Sequence, residues 1–531
     1  MPALVERHDP RVIAAVVGAY VLTMVVQAFA QRTFQVMTGR IGQDVVLDLR
    51  RRVFDRFQRL SVAFHERYTS GRVVSRQTSD VEAISELFEE GIDGLVRAVL
   101  SLVTVGAGML ILDVPLALVA LLSFPALLWI SAWFRRESAA AYRRTREAVV
   151  LVIIQFVETM GGIRAVQAFR REPRNSRIFA RVNGEYRDAL FRSSRLNAVF
   201  APGISFVGNL TTGVVLFLGG YLAIRGSIEV GVLAGLYLRR FFDPLEVLAH
   251  FYNSFQSAAA GLEKLTGVLE EEPSVPDPVR PVALPVSARG EVRVEGVRFG
   301  YDAETVLPGL DLVIPAGQTV AVVGATGAGK TTLARLLSRF YDPREGRVLL
   351  DGVDLREIDD PALRGAVVTV TQESFLFAGS VADNIGFGRP GSSRADIVDA
   401  ARAIGAHEFI TALPDGYDTG VHARGGRLSA GQRQLVSFAR VFLTGAAVLV
   451  LDEATSSLDI PAERAVQRAM RTVLAGRTAV VIAHRLSTVE IADRVLVMDG
   501  GQIVDYGPPG QLISGSGRYA ELYEQWLARS G

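Results

Sequence analysis

The 531-residue chain contains no cysteine. That excludes a disulfide framework, a cysteine-ligated zinc site and a thiol nucleophile. Lysine is nearly absent as well. Lys264 and Lys330 are the two in the chain, so almost all positive charge is arginine. A lysine kept where arginine is the rule points to a task that suits a point charge better than a planar fork. Net charge is also missing. The 57 Lys and Arg against 56 Asp and Glu leave +1, which gives no bulk reason to expect nucleic acid as a partner.

What the chain has in excess is apolar length. Hydrophobic residues make up 49% of it and charged residues 21%. A uniform soluble enzyme rarely combines these values, so the apolar residues must be segregated. Five long apolar stretches stand near residues 11–38, 92–112, 114–134, 196–224 and 229–255. Each is long enough for the ~20 residues that cross a bilayer as a helix. The first run is too long for a secretory signal, and no small-residue cleavage site follows it. Arg50, Arg51, Arg52, Arg56 and Arg59 follow the first stretch, and Arg135, Arg136, Arg143, Arg144 and Arg146 follow the third. The connections at Asp113 and between Arg225 and Glu229 are short and weakly charged. The positive-inside rule therefore puts the long connections in the cytoplasm. They read as helical continuations of the spans; a helix from Arg11 to about Leu60 would be ~75 Å long at 1.5 Å per residue.

Composition changes near residue 270. Glu270-Glu271-Glu272-Pro273 opens a stretch that contains Pro276, Pro278, Pro281 and Pro285. Acidic and proline-rich, it reads as an extended linker. The expected organisation is a transmembrane domain at 1–271, a linker at 272–289 and an α/β domain at 290–531. Short β-branched runs at 292–297, 319–323, 366–370, 447–451 and 479–482 predict strands, mostly in a parallel sheet.

Gly324-Ala325-Thr326-Gly327-Ala328-Gly329-Lys330-Thr331 has the P-loop pattern. It follows a predicted strand and leads into the helical run that begins at Thr332, as that motif requires. Its glycines let backbone N–H groups close around phosphate oxygens at a helix N-terminus. Lys330 reaches the β/γ-phosphates and Thr331 supplies a magnesium ligand, with Thr332 counted among the nucleotide-binding residues. Val448-Leu449-Val450-Leu451-Asp452-Glu453 is an apolar strand ending in two carboxylates, aimed at the sheet edge where nucleotides bind. Asp452 is the expected magnesium holder. Glu453 is the expected base that polarises the attacking water.

Between these motifs lies Leu428-Ser429-Ala430-Gly431-Gln432, which resembles the signature of the ATP-binding cassette (ABC) transporters. Other family motifs follow in the family's order. Tyr301 matches the aromatic that stacks on adenine. Gln372 matches the Q-loop glutamine, which the resemblance makes a catalytic residue and a magnesium ligand. Ser457-Leu458-Asp459 matches the D-loop, with Asp459 at the nucleotide, and His484 matches the catalytic switch histidine. Phe64-His65-Glu66-Arg67, with Thr69-Ser70-Gly71-Arg72, is similar to the first coupling region of exporter-type half-transporters. The stretch 158–169 is similar to the region around the second. The resemblance implies an α-helical transmembrane bundle joined to an α/β P-loop NTPase cassette, with ATP and Mg²⁺ as cofactors. It implies that Ser429, Gly431 and Gln432 face the nucleotide held by a second half-transporter, in a homodimer or heterodimer. The expected function is ATP-driven export of a hydrophobic or amphipathic compound (drug, lipid or peptide) by alternating access, from a bacterial plasma membrane. An importer built on the same fold, for instance for siderophores, and a non-transporting regulatory partner are the alternatives. Exporter halves of the family carry six spans, so a further apolar helix upstream of the first is also expected. Ala430, Ala328 and Ala423 depart from the family pattern, at positions where glycine, serine and glutamate are usual. Polar residues in the spans are the candidates for a substrate cavity or for helix contacts: Gln27, Gln31, Asn209, Thr211, Thr212, Arg239, Arg240, Asp243, His250 and Asn253. Pro244 is the expected bend of the last span.

Overall fold

The computed structural model describes residues 10–112, 114, 118, 122–224, 231–285, 288–302, 304–371, 374–421, 425–452, 460–483 and 485–530. The chain divides into two compact units. One comprises Met1–Asp55 and Val74–Leu269, the other Arg56–Val73 and Glu270–Gly531.

Helices run in the order α1 (Pro10–Arg59), α2 (Val62–Arg67), α3 (Ser70–Gln77), α4 (Ser79–Glu86), α5 (Ile92–Leu112), α6 (Phe124–Gly161), α7 (Ile163–Ala168), α8 (Glu172–Ile224) and α9 (Gly231–Glu270). A π-helical turn, Leu87–Gly91, joins α4 to α5. Helix α1 has the extent read from the sequence, and Pro10 suits its first position because a helix's first N–H lacks a partner anyway. Three helical stretches among the described residues are long and apolar enough to cross a membrane: Ile13–Arg59, Ser70–Gly108 and Glu172–Leu218. None of the apolar window of the first is buried within the chain. Such a surface suits lipid or a neighbouring helix, not water. Parts of the expected third and fifth spans, at 115–117, 119–121 and 229–230, and the connections at 113 and 225–228 lie outside the described residues. Pro202 and Pro244 both sit inside long helices, α8 and α9.

Two features tie the helical unit together. Phe134 of α6 stacks on Phe200 of α8 with ring centroids 4.0 Å apart. At the other, α9 meets α4 backbone to backbone. A Cβ on Gly261 would lie 2.7 Å from the Asp80 carbonyl oxygen, so only glycine admits this approach. Asp80, itself buried, accepts a bond from Arg76 and lies 3.3 Å from the Lys264 ammonium.

The second unit is an α/β assembly. Its strands are β1 (Val292–Phe299), β2 (Leu307–Ile314), β3 (Thr319–Val323), β4 (Glu345–Leu350), β5 (Val353–Asp354), β6 (Val367–Val370), β7 (Val448–Asp452), β8 (Thr478–Ile482), β9 (Arg494–Asp499) and β10 (Gln502–Gly507). Six of them form one sheet, in the order β10-β9-β3-β8-β7-β6. Its pairs are parallel except β10 with β9. The other four form an antiparallel sheet, β2-β1-β4-β5, which the sequence reading did not separate from the first. The larger sheet is covered on both faces, which is why its strands are continuous apolar runs. Along β7, Leu449 and Leu451 join a helical core, whereas Val448 and Val450 join the core shared with the antiparallel sheet. The helices are α10 (Lys330–Leu337), α11 (Asp360–Ala366), α12 (Val381–Gly386), α13 (Arg394–Ile404), α14 (His407–Thr411), α15 (Ala430–Thr444), α16 (Ile460–Leu474), α17 (Leu486–Val489), α18 (Pro509–Ile513) and α19 (Arg518–Ser530).

Two stretches outside the sheets also belong to this unit. The proline-rich segment after Glu270 offers carbonyls even where proline offers no N–H. Arg339 donates to the Pro276 carbonyl at 2.7 Å, and the Val282 N–H bonds the Glu357 carbonyl at 2.7 Å. The segment 56–73 makes its own aromatic cluster. Phe57 and Phe64 are buried, and Phe64 stacks on Tyr68 with centroids 4.7 Å apart.

Candidate functional site

The P-loop stands where the expected chemistry needs it. All five residues of β3 are buried, which fixes the strand's end. The chain then turns through Gly324 (φ +148°), Gly327 (φ +84°) and Gly329 (φ +96°), the last being the N-cap of α10. A Cβ on Gly324 would lie 2.2 Å from the Met498 carbonyl oxygen, so the loop is wedged against β9 and has room for no side chain there. Ala325, Thr326 and Gly327 form the exposed tip, while Ala328, Gly329 and Lys330 are buried. Ala328 is 4% exposed. Its small apolar side chain therefore suits the space, and its carbonyl accepts a bond from the Gly501 N–H.

Lys330 is 6% exposed, and its ammonium bridges its own loop, donating to the Gly324 and Ala325 carbonyls at 2.7 and 2.8 Å. Burial lowers its pKa, and the charge of Asp452 works the other way. Asp452 ends β7, in register with Ile482 of the neighbouring strand β8. A buried cation held by two neutral carbonyls and one nearby carboxylate is poised for an anion of higher charge. Thr331 is exposed at the start of α10, and Thr332 is buried behind it.

Ser429 caps α15. Its Oγ accepts the Gln432 N–H at 3.2 Å, and the Gln432 Oε1 accepts the Ser429 N–H at 2.9 Å, a reciprocal capping box. The hydroxyl keeps its proton for a further acceptor. Ser429 is exposed and Gly431 buried, so the N-terminus of α15 faces outward. Residues Leu435, Val436, Phe438 and Ala439 of α15 lie in the helical core, whereas Leu333 and Leu336 of α10 lie in the core beside the antiparallel sheet. Signature and P-loop thus belong to opposite faces of the larger sheet.

Tyr301 follows β1. Its hydroxyl lies 3.3 Å from Thr332 Oγ1 and accepts from Arg335 Nη1 at 3.0 Å. Its ring meets Tyr341 edge to face, with centroids 5.4 Å apart. Arg335 and Tyr341 were not singled out in the sequence, and the Glu66 carboxylate that both of them bind was quoted only as part of the coupling-region stretch 64–67. Arg335 stands one turn after Thr332 on α10, which places it on the side of Tyr301. No local signal pairs it with Glu66, 269 residues earlier. Gln372, His422, Ala423, Arg424, Glu453, Ser457, Leu458, Asp459 and His484 lie outside the described residues. In the helical unit, the hydroxyls of Thr211 and Thr212 donate to the carbonyls four residues back, at 2.8 and 2.9 Å. Their polarity is therefore met within α8.

Comparison with known proteins places both halves. Residues 1–245 match the family described as ABC transporter transmembrane region, and residues 307–456 match the family described as ABC transporter. An ABC transporter ATP-binding protein of Bacillus subtilis is 36% identical over 509 residues, covering 95% of this chain and 83% of that one. An ATP-dependent lipid A-core flippase of Syntrophus aciditrophicus is 36% identical over 492 residues, covering 92% of this chain and 82% of that one. The structure of a bacterial Atm1-family ABC exporter with ATP bound superposes with a TM-score of 0.83 at 30% identity, over 99% of this chain and 93% of the other. The chain belongs to the ABC transporter family, as an exporter-type half-transporter in which a helical transmembrane region is joined to an ATPase cassette.

Proposed function

We propose that the chain is one half of a dimeric exporter in a bacterial plasma membrane, moving a hydrophobic or amphipathic compound with ATP held at the Lys330 loop. The cassette lies on the cytoplasmic side. The bounds are a transmembrane domain at 1–271 with five spans, a linker at 272–289 and a cassette at 290–531. The observation that carries this reading is the buried Lys330 ammonium, held by two carbonyls of its own loop at 2.7 and 2.8 Å. The β- and γ-phosphates replace those carbonyls and gain from the N-terminus of α10. Tyr301 stacks on the adenine. Ser429, Gly431 and Gln432 close on the ATP of the partner half, since this chain has one cassette and its signature lies across the sheet from its P-loop. Asp459 contributes at the same closed interface.

The donors suit Mg²⁺. The Thr331 hydroxyl is exposed at the start of α10, and the Asp452 carboxylate is near enough for its charge to act on Lys330. Gln372 is assigned as a third ligand. When bound, Mg²⁺ neutralises charge on the transferring phosphoryl group. Glu453 takes a proton from the attacking water, and His484 orients the γ-phosphate. ATP supplies contacts that exist only when two cassettes close, and such differential contacts can drive alternating access. Relatives include a lipid A-core flippase, which supports an amphipathic cargo.

The test is ATPase turnover of the purified dimer in lipid vesicles. Glu453→Gln should lower it by ~10²–10⁴-fold, the contribution of a positioned base. Wild-type turnover in that variant would remove Glu453 from its role.

A further inference from the structure

The surroundings of Tyr301 extend beyond the cassette sequence. Arg335 spans two partners. Its Nη2 lies 2.7 Å from Glu66 Oε1, while its Nη1 reaches the Tyr301 hydroxyl at 3.0 Å. The other oxygen of Glu66 accepts the Tyr341 hydroxyl at 2.6 Å. The rings of Phe299, Tyr301 and Tyr341 meet edge to face at 5.2, 5.4 and 5.5 Å. The Arg335 guanidinium carbon lies 5.7 Å from the Tyr301 centroid and 5.9 Å from that of Tyr341. Burial works against the charge of Arg335, but Tyr301, Glu66 and Tyr341 outweigh it and raise its pKa. Burial and the bond to Glu66 push the Tyr341 hydroxyl well above the usual phenol range, so it stays protonated and donates.

A tyrosine that offers its face to a flat base must hold both torsions of its side chain. Here the edge contacts limit the ring's tilt, and the bond to Arg335 limits its swing. Arg335 is in turn fixed by Glu66, because a guanidinium fork donates in set directions and cannot follow one partner without leaving the other. Glu66 sits on α2, whose place is set by the burial of Phe57 and Phe64.

We propose that Arg335 and Glu66 are positioning residues for Tyr301, so that affinity for the adenine base, as distinct from the triphosphate, depends on a carboxylate of the 56–73 segment. The inference rests on Tyr301 being the adenine platform. By linkage, a bound base holds Glu66 more firmly, and anything that displaces Glu66 loosens the base. The first coupling region would thereby sense which end of the nucleotide is in place.

The experiment measures competition by ATP and by inorganic tripolyphosphate, each with Mg²⁺, for a fluorescent nucleotide on the purified full-length dimer. Tyr301→Ala should weaken ATP and leave tripolyphosphate within twofold. Arg335→Ala and Glu66→Gln should each weaken ATP three- to tenfold, with tripolyphosphate again within twofold. Arg335→Lys should fall between, since an ammonium meets Glu66 but cannot bridge to Tyr301. Arg335→Ala should add nothing in a Tyr301→Ala background. If Tyr301→Ala weakens both ligands alike, the platform reading fails and this inference with it. If Tyr301→Ala behaves as stated but Glu66→Gln keeps the wild-type ratio of the two ligands, the positioning role fails alone. An Arg335 that acted on phosphate by charge would reveal itself by weakening tripolyphosphate, and Glu66→Gln would then strengthen it. Glu66→Gln keeps the side chain's size and its acceptor for Tyr341, so it tests the role even if Arg335→Ala does not fold.

Discussion

Replacing Lys330 by methionine should separate nucleotide binding from stability. The ammonium already makes two hydrogen bonds within its own loop, to the Gly324 and Ala325 carbonyls. Its contribution to ATP binding is therefore not the full strength of its phosphate contacts. It is the difference between a charged acceptor and a neutral one. Hydrogen bonds to a charged group are worth ~1.5–3 kcal/mol, and the ammonium makes two of them with either acceptor, so the gain comes from the added charge of the phosphate. Taking that added charge as worth about 0.5–2 kcal/mol per bond, the net gain is about 1–4 kcal/mol, so Lys330→Met should weaken ATP by ~5–1000-fold. Unliganded stability should hardly change. The variant loses the two carbonyl bonds but also the cost of a buried cation, whose pKa is lowered by that burial. Methionine fills a similar volume, and the freed carbonyls belong to half-buried Gly324 and exposed Ala325, where water can take the place of the ammonium. A change within ~1 kcal/mol corresponds to about 2–4 °C in Tm for a domain of cassette size. Nucleotide competition and thermal unfolding of the same preparation, with and without ATP, give both numbers. ATP affinity within twofold of wild type would refute the exchange argument. An unliganded Tm lower by 10 °C would refute the claim that the ammonium's bonds and its burial offset each other.

Gly324→Ala should destabilise the cassette by about 2–5 kcal/mol, because positive φ costs a side chain ~1–2 kcal/mol and overpacking adds ~1–3. Calorimetry of the full chain reads this, and an unchanged Tm would mean that β9 yields where a Cβ would stand 2.2 Å from the Met498 oxygen. Asp80→Ala should lower thermal stability in detergent by about 1–3 kcal/mol, since it removes a buried carboxylate shared by Arg76 and Lys264. Asp80→Asn, which keeps an acceptor, should recover part of the loss, and wild-type Tm values in both variants would deny the carboxylate any part in holding α4 to α9.

The nucleotide loop was readable because its information is local. Glycines at fixed offsets, a lysine among arginines and an apolar strand just before them lie within a dozen residues. The capping box is local too, with Ser429 and Gln432 three apart. The second sheet was not readable, because β1 alternates as an antiparallel strand must but its partners β2 and β4 come later and leave no mark on it. The proline-rich stretch after Glu270 reads as a spacer by composition. Its anchoring depends on Arg339 and Glu357, which composition cannot see. The environment of Tyr301 is the extreme case, as two of its members stand 269 residues apart.

That separation has a meaning in time. A ribosome adds roughly 5–20 residues per second. The 275 residues between Glu66 and Tyr341 therefore take about 15–55 s to synthesise. Throughout that interval segment 56–73 exists without the partners that complete it. The contacts of Phe57 with Phe64 and Tyr68 need no later sequence and can form at once. The carboxylate of Glu66 must wait in water for Arg335 and Tyr341. A cassette made alone from residue 290 onward lacks a piece of its own folding unit, and its isolated stability would understate that of the domain in the whole chain.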